Sequence, residues 1–176
     1  AFIDPDADFS VFKRVAILDT MVAFRSNWQR DQNRSRTRNI SARDMERIKE
    51  DVATLFERIL TERLEAAGYP VVDVAGNDVL ILRPAIIDLD VTAPDTMTPG
   101  RSRTYAASTG AATLYMQLFD AATGDIIGRA ADRKGVRRGG GSVNWSSSRV
   151  SNIADARRIM GGWADTLVAF LKSHYE

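Results

Sequence analysis

The sequence predicts a two-layer α/β sandwich, in which two amphipathic helices cover one face of a mixed five-stranded sheet. Two patterns carry this prediction. Apolar residues recur at spacings of three and four over Ser41–Ala67 and form one long stripe. Apolar and polar residues alternate over Thr109–Arg133, on both sides of a turn at Gly124. A helical stripe and an alternating strand face can bury each other, so the two patterns together indicate a layer of helices on a sheet.

The long helix has clear signals at both ends. Ser41 is a natural N-cap, and Asp44 lies in the first turn, where its charge suits the positive end of the helix dipole. Gly68 can take the left-handed conformation that ends a helix, and Pro70 prevents a restart. We expect the stripe to be buried against the apolar side of the hairpin, which consists of Ala112, Leu114, Met116 and Leu118.

Four other segments complete the predicted sandwich. They are Val11–Leu18, Tyr69–Val74, Val79–Val91 and the C-terminal helix Asn152–Tyr175. The first is a continuous apolar run that suits a strand buried on both faces, and Met21–Phe24 can prolong it. In the third, Ala85, Ile87 and Leu89 are expected on the inner side, and Pro84 calls for a bulge or an edge position. A strand, a helix and a strand in this order suggest a parallel crossover, after which the strands form an antiparallel meander.

The chain reads as one domain over residues 1–176. Residues 1–10 are a polar lead-in, and residues 25–39 and 135–150 are long exposed loops. A hydrophobic content of 44% with 27% charged residues is typical of a globular protein. No segment approaches the roughly 20 apolar residues of a membrane span. The chain begins with alanine and not methionine, which is a pointer to export that trimming of a longer sequence also explains.

Composition excludes several classes of function. The chain has no cysteine, so it can form neither disulfides nor thiol-based catalytic or zinc sites. Its 24 basic and 23 acidic residues leave a net charge of +1, so no overall field draws it to nucleic acid. The single histidine, His174, lies next to the C-terminus and has no Ser-His-Asp arrangement around it. We expect no cofactor and no metal.

The most suggestive segment for binding is the arginine-rich loop between the first strand and the long helix. Its candidate interaction residues are Arg25, Trp28, Arg30, Arg34, Arg36 and Arg38. Arginine recognises carboxylates and phosphates, and tryptophan can stack on a base. Two interpretations stay open, a contact with a protein or acidic envelope polymer, and a polyanion-binding or nucleic-acid-binding module. The balanced charge of the chain favours the first.

An enzymatic interpretation would rest on Asp88 and Asp90, because two carboxylates on one strand face can act as an acid–base pair. The predicted solvent face of the meander also carries polar residues without catalytic character. They are Thr113, Tyr115, Gln117 and Arg129. Carboxylates on a solvated strand face look the same as a catalytic pair, and no other residue offers a substrate cleft. We therefore predict a protein that is not an enzyme.

Several short motifs, taken in order, resemble one family of proteobacterial proteins, the domain of unknown function numbered 3313 (DUF3313). The motifs are Ala7-Asp8-Phe9-Ser10, Lys13-Arg14-Val15-Ala16-Ile17, Trp28, Ser41-Ala42-Arg43-Asp44, Tyr69-Pro70-Val71-Val72, Gly76-Asn77-Asp78-Val79-Leu80, Asp120-Ala121-Ala122-Thr123-Gly124 and Trp163-Ala164. Each motif reflects turn or packing chemistry, and the specificity lies in their order along nearly the whole chain.

The resemblance implies an exported lipoprotein of unknown function, whose lipid-bearing cysteine lies upstream of this chain. It therefore implies a periplasmic location at the outer membrane, membrane attachment only through that lipid, and envelope proteins or a second copy as partners. It supplies no catalytic residues. The order of elements is also similar to the N-terminal domain of the translocation protein TolB, which is an analogy of fold alone.

Overall fold

A computed structural model describes residues 1–34, 39–92, 106–135 and 149–174. The strands are β1 (Phe2–Ile3), β2 (Arg14–Ile17), β3 (Met21–Phe24), β4 (Val79–Thr92), β5 (Ala106–Asp120) and β6 (Ile126–Gly135). The helices are α1 (Trp28–Asn33), α2 (Ala42–Ala66) and α3 (Arg149–Ser173). Within these ranges no helix is long and apolar enough to cross a bilayer.

The described strands form one mixed sheet in the order β1-β6-β5-β4-β2. Strands β2 and β3 pair one after the other along the same side of β4, both in parallel. Strands β4, β5 and β6 form the predicted antiparallel meander, and β1 extends it as a further antiparallel strand. The connection from β3 to β4 runs through α2, so the predicted parallel crossover is confirmed.

Within the described residues the sheet has six strands, whereas five were expected. The additional strand lies in the lead-in, whose polar composition did not predict it. Phe2 and Ile3 pair with Arg129 and Gly128 of β6. The predicted strand Tyr69–Val74 is reduced to a single bridge, between Val15 and Val71. Its ladder is short because it follows the end of α2 directly, and the Tyr69 amide is still bonded to the Leu64 carbonyl of that helix.

Strand β2 is not buried on both faces as its apolar run suggested. It lies at the edge of the sheet, where Val15 alone is fully buried and Ala16 and Ile17 are half-exposed. The bridge at Val71 covers only the middle of its outer edge. A continuous apolar run therefore marked a parallel strand correctly, but it did not distinguish the centre of the sheet from its edge.

In β4 the expected alternation is wrong before residue 88. Pro84 and Ile86 pair with Met116 and Leu114, so they share the core face, and Ile87 lies on the opposite face beside Thr113. A bulge at Asp88, where φ is +51°, then returns Leu89 to the core. Such an extra residue reverses the phase of a strand, which periodicity alone cannot anticipate. The bulge that Pro84 led us to expect lies four residues further on.

Helix α2 confirms the prediction for the long helix. Ser41 accepts a hydrogen bond from the Asp44 amide, and the Asp44 carboxylate accepts one from the Ser41 amide, which completes a capping box. Gly68 follows the C-terminus with φ of +95°. The apolar stripe is buried, at the positions Ile48, Val52, Phe56, Ile59, Leu60 and Leu64.

Helices α2 and α3 lie side by side on one face of the sheet and enclose one core with β4 and β5. The predicted hairpin face, from Ala112 to Leu118, forms the floor of that core. The pair Gly161-Gly162 does not break α3. A Cβ atom at Gly161 would lie 3.1 Å from the Arg63 guanidinium of α2, so glycine permits this helix contact. The predicted class, a two-layer α/β sandwich, is thus confirmed.

Candidate interaction surfaces

The structure corrects the prediction that residues 25–39 form an exposed loop. Residues 28–33 are the short helix α1. Trp28 is only 1% exposed, and its ring stacks on Phe24 with the centroids 4.0 Å apart. Ile40, which follows the segment, is also buried. Trp28 is therefore a core residue that fixes α1 to the sandwich, and it is not available to stack on a ligand.

Arg25 is held by carboxylates of its own chain. Its guanidinium contacts Asp31 Oδ2 at 2.8 Å and Asp90 Oδ1 at 3.0 Å. The hydrogen bond to Asp31, together with that to Asp90, raises the pKa of Arg25. The hydrogen bond from Arg25 likewise lowers the pKa of Asp31. These contacts tie α1 to β4, so Arg25 is chiefly a structural link between two elements.

The other arginines of the segment divide into two groups. Arg30 is exposed, with 65% of its side chain accessible, and its Nε lies 3.9 Å from Asp31 Oδ1. Arg34 is also exposed and ends α1. Arg36 and Arg38 lie outside the described residues. Of the predicted interaction residues that the structure describes, Arg30 and Arg34 are the two that are exposed to solvent.

The two candidate catalytic carboxylates lie in different surroundings. Asp88 occupies the bulge of β4 and is exposed, whereas Asp90 is engaged by Arg25. His174 contacts the Phe170 carbonyl through Nδ1 at 2.8 Å, and its ring packs against Phe9 and Phe170. Over the described ranges, no group of three or more acidic or histidine side chains is arranged to hold a metal ion.

The sheet face opposite the helices, here called the open sheet face, carries a pattern of positive charge that the sequence predicted only in part. It is formed by alternate residues of the meander, Ile81, Arg83, Ala85, Ile87, Thr113, Tyr115, Gln117, Phe119, Arg129, Ala131 and Arg133. Register places Arg83 and Arg129 on the two sides of Gln117, and Arg133 beside Thr113. All three arginines are exposed. Alternation in β5 and β6 predicted part of this face. Arg83 could be placed on it only once the structure showed which residues of β4 face the core.

The open sheet face is basic because it carries three exposed arginines and, in the described ranges, no acid that neutralises them. Among the described residues, no carboxylate lies within ion-pair distance of Arg83, Arg129 or Arg133. Arg129 instead lies over the Phe2 ring, 5.4 Å from its centroid. Tyr115 stands at the centre of the face, half-buried between Ala85 and Ala131. The face thus combines an aromatic centre with unpaired guanidinium groups.

The fold and this surface define a two-layer α/β protein with one covered and one open sheet face. The chain belongs to the family described as a protein of unknown function (DUF3313), which matches residues 1–167 and so confirms the resemblance found in the sequence. The comparison with curated proteins finds no match.

Solved structures with a similar chain trace come from several bacteria. They include a minor lipoprotein from Acinetobacter baumannii, with 14% identity, a TM-score of 0.42 and coverage of 93% of this chain and 94% of that one. The hypothetical protein CT253 from Chlamydia trachomatis has 10% identity and a TM-score of 0.47, over 91% and 98% of the two chains. A putative neuraminyllactose-binding hemagglutinin homolog from Helicobacter pylori has 12% identity and a TM-score of 0.43, over 99% and 94%. These similarities assign no role to any residue.

Proposed function

We propose that this protein is a non-enzymatic component of the bacterial cell envelope that acts through contacts with other proteins. In this proposal it resides in the periplasm, held at the outer membrane by a lipid on a cysteine outside this chain. The location rests on the motifs shared with the family, which imply an exported lipoprotein. The mode of action rests on the open sheet face.

The observation that carries the proposal is the set of arginines around Tyr115 on the open sheet face, which have no carboxylate partner among the described residues. Arginine and tyrosine are enriched in protein interfaces, where they supply most of the binding free energy. Guanidinium groups on a flat face match carboxylates on a partner, and such charges steer association. A partner that presents an acidic surface therefore fits this face best.

Photocrosslinking in intact cells tests this surface. A photoreactive phenylalanine analogue at Tyr115 should give a discrete adduct, because Tyr115 lies at the centre of the face. The matched control carries the analogue at Glu50, which is exposed on α2. We expect the double variant Arg83→Gln, Arg133→Gln to lose most of the Tyr115 adduct while keeping its folded circular dichroism spectrum. An undiminished adduct, or recovery of the protein in the cytoplasmic fraction, would contradict the proposal.

A separate experiment tests the polyanion alternative. It changes the candidate arginines that are exposed or that lie outside the described residues. Arg25 is left in place because of its structural ion pairs. The variants Arg30→Gln, Arg34→Gln, Arg36→Gln and Arg38→Gln are combined, and a fluorescent oligonucleotide is titrated at two salt concentrations. Since the proposal assigns no polyanion binding, we expect no salt-dependent affinity in either protein. A steep salt dependence that the variant loses would favour the alternative.

A further inference from the structure

A groove runs along the outer edge of β2, at the opposite end of the strand order from β1. Its walls come from β2, β4, α2 and the segment that follows α2, and they include Ala16, Leu18, Ile81, Glu57, Thr61 and Val74. We call it the edge groove. Its volume is about 700 Å³, which lies within the roughly 300–1,000 Å³ that is typical of ligand-binding clefts.

The groove begins where the cover of the β2 edge ends. The Leu18 amide donates to a carbonyl of β4 at 2.8 Å, so the even-numbered residues direct their main-chain groups towards β4. Val15 points outwards, where its amide donates to the Pro70 carbonyl at 3.0 Å and its carbonyl accepts from the Val72 amide at 2.8 Å. Ile17 is the next residue that points outwards. Among the described residues, its amide and carbonyl have no partner on that side.

The edge beyond Val15 lacks the features that usually protect a sheet edge. Charged side chains, proline or a bulge keep further strands away from an edge. From Val15 to Leu18 all four residues are apolar, and the pairing of β2 with β4 is regular. Leu18 is 44% exposed, and Val74, which also lines the groove, is 53% exposed. An edge of this kind is suited to pairing with an extended segment of another chain.

The groove has walls on both faces of the sheet, which suits an extended chain. Register places Ala16 beside Ile81, so both lie on the side of the open sheet face, and Leu18 follows by alternation. Glu57 and Thr61 belong to α2, which covers the opposite face. Side chains of a strand alternate between two faces. A strand in the groove would therefore direct one residue towards α2 and the next towards the apolar wall.

The charged residues that line the groove are both acidic. Glu57 Oε1 accepts a hydrogen bond from the Thr20 amide at 2.8 Å, which holds the carboxylate on the α2 side. Asp73 is exposed on the segment that follows α2. Among the described residues, neither lysine nor arginine belongs to the lining. A strand with a basic side chain complements these charges, whereas pairing of two β2 edges would bring the same acidic residues of both copies together.

We propose that the edge groove binds an extended segment of a partner protein, which pairs with Ile17 as an added strand and directs a basic side chain towards Glu57. The main chain of the segment pairs with the amide and carbonyl of Ile17. Its side chains alternate between Glu57 on one face and the apolar wall at Leu18 and Ile81 on the other. The preferred sequence therefore alternates basic with β-branched or aromatic residues. This surface is separate from the arginines that we propose to bind an acidic partner.

Fluorescence anisotropy with a labelled peptide tests the proposal. The probe alternates valine and lysine over seven residues, and the control peptide has glutamate in place of lysine. We expect saturable binding of the lysine peptide and binding of the glutamate peptide that is about tenfold weaker or more, because like charges then face Glu57 and Asp73. Equal binding of the two peptides, or no saturable binding at millimolar concentration, would overturn the proposal.

Methylation of the peptide amides distinguishes an added strand from a purely ionic contact. The amides of alternate residues point to the same edge of an extended strand. One version of the lysine peptide is methylated on one alternate set of amides, and a second version on the other set. The version whose methyl groups stand between the peptide and Ile17 should bind about tenfold more weakly, since it loses hydrogen bonds to the edge. The other version should keep its affinity, and equal effects would show that the peptide does not pair with the sheet.

Matched variants of the protein locate the peptide. Glu57→Gln keeps an acceptor for the Thr20 amide and should weaken the lysine peptide about threefold, whereas Glu62→Gln, exposed on α2 outside the groove, should not. Leu18→Gln should also weaken binding, because the wall loses apolar area. Met21→Gln is its control, since Met21 is 60% exposed and does not line the groove. Equal effects within either pair would contradict the assigned position.

The oligomeric state tests a second copy as the occupant. Wild-type protein and Leu18→Gln should sediment alike, and a dimer that Leu18→Gln dissociates would assign the groove to a second copy and overturn the proposal. The double variant Arg83→Gln, Arg133→Gln should bind the lysine peptide at least as tightly as the wild type. Loss of the Tyr115 adduct and loss of peptide binding are therefore distinguishable.

Discussion

Trp28 and Arg25 show how strongly the role of a residue depends on its surroundings. Both lie in a stretch of arginine, serine, asparagine and glutamine that has the composition of a solvated loop. In the folded protein Trp28 is enclosed beside Phe24, and Arg25 joins Asp31 to Asp90. One large apolar residue in a polar stretch is equally compatible with a binding site and with an anchor, and the contacts here show an anchor.

We predict that Trp28→Ala lowers the free energy of unfolding by about 3–5 kcal/mol, because it empties a fully buried aromatic site. Urea denaturation followed by circular dichroism measures the change. Arg30→Ala, two positions along the same helix but exposed, should change it by less than about 0.5 kcal/mol. If the two variants were equally stable, Trp28 would have to be a surface residue.

Helix α2 is the element whose local sequence and tertiary role agree most fully. Its N-cap, its apolar stripe and the glycine that ends it are all determined by residues close in sequence. Both ends of the helix therefore match the prediction. Helix α1 is the opposite case. It is six residues long, its N-cap Asn27 makes no side-chain capping bond, and it has no apolar period of its own. Helices this short are stabilised by tertiary contacts and not by propensity, here by Trp28 and by the ion pairs of Arg25.

We predict that Ser41→Ala lowers the free energy of unfolding by about 1 kcal/mol, because it removes one half of the capping box at the start of α2. Thr54→Ala is the control, since Thr54 is exposed in the middle of the same helix. It should stabilise slightly, because alanine has the higher helix propensity. Urea unfolding of both variants checks the opposite signs, and a neutral Ser41→Ala would mean that the cap contributes nothing to stability.

At the scale of the whole molecule, α2 and α3 cover one face of the sheet, and no other described helix covers the opposite face. The long helix, which sequence alone also allowed as a partner-binding element, is part of the scaffold. Phe56 is fully buried in the contact between the two helices, 6.2 Å from the Trp163 ring. Among the described elements, the open sheet face and the edge groove at β2 are the surfaces that we propose for partner binding.

We predict that Phe56→Asp prevents folding. Loss of the ring costs about 3–5 kcal/mol, and an unpaired buried charge costs several kcal/mol more, against a total stability of about 5–15 kcal/mol for a domain. Leu55→Asp should destabilise the protein less than Phe56→Asp, because Leu55 is only partly buried although it belongs to the apolar stripe. Thr54→Asp, on the exposed side, should fold. Dispersion of amide proton signals in NMR spectra distinguishes the three variants, and a folded Phe56→Asp protein would show that α2 does not pack as described.

The sequence predicts much of the architecture, because these features depend on residues that are close together in the chain. The parallel crossover, the β5–β6 hairpin with Gly124 at φ of +75°, and the order of the meander all follow from local periodicity and turn chemistry. The predictions for two strands were wrong for one reason: a strand forms only where it pairs with another segment, and that segment is distant in sequence. Phe2 and Ile3 form a strand only because β6 offers an edge, and Tyr69–Val74 is limited to a bridge because it follows α2 without a break.

In the candidate interaction surface, too, some features follow from the sequence and others only from the tertiary structure. Sequence alone determined the family, the sandwich and the presence of unusual arginines, since each of these is carried by the order of residues. Only the tertiary structure decided which arginines are paired: Arg25 contacts carboxylates of α1 and β4, whereas Arg83 and Arg129 contact none in the part of the chain that the structure describes. The physical reason is that burial and ion pairing arise between segments distant in sequence, and a single bulge at Asp88 determines which side of β4 faces the core and which faces solvent.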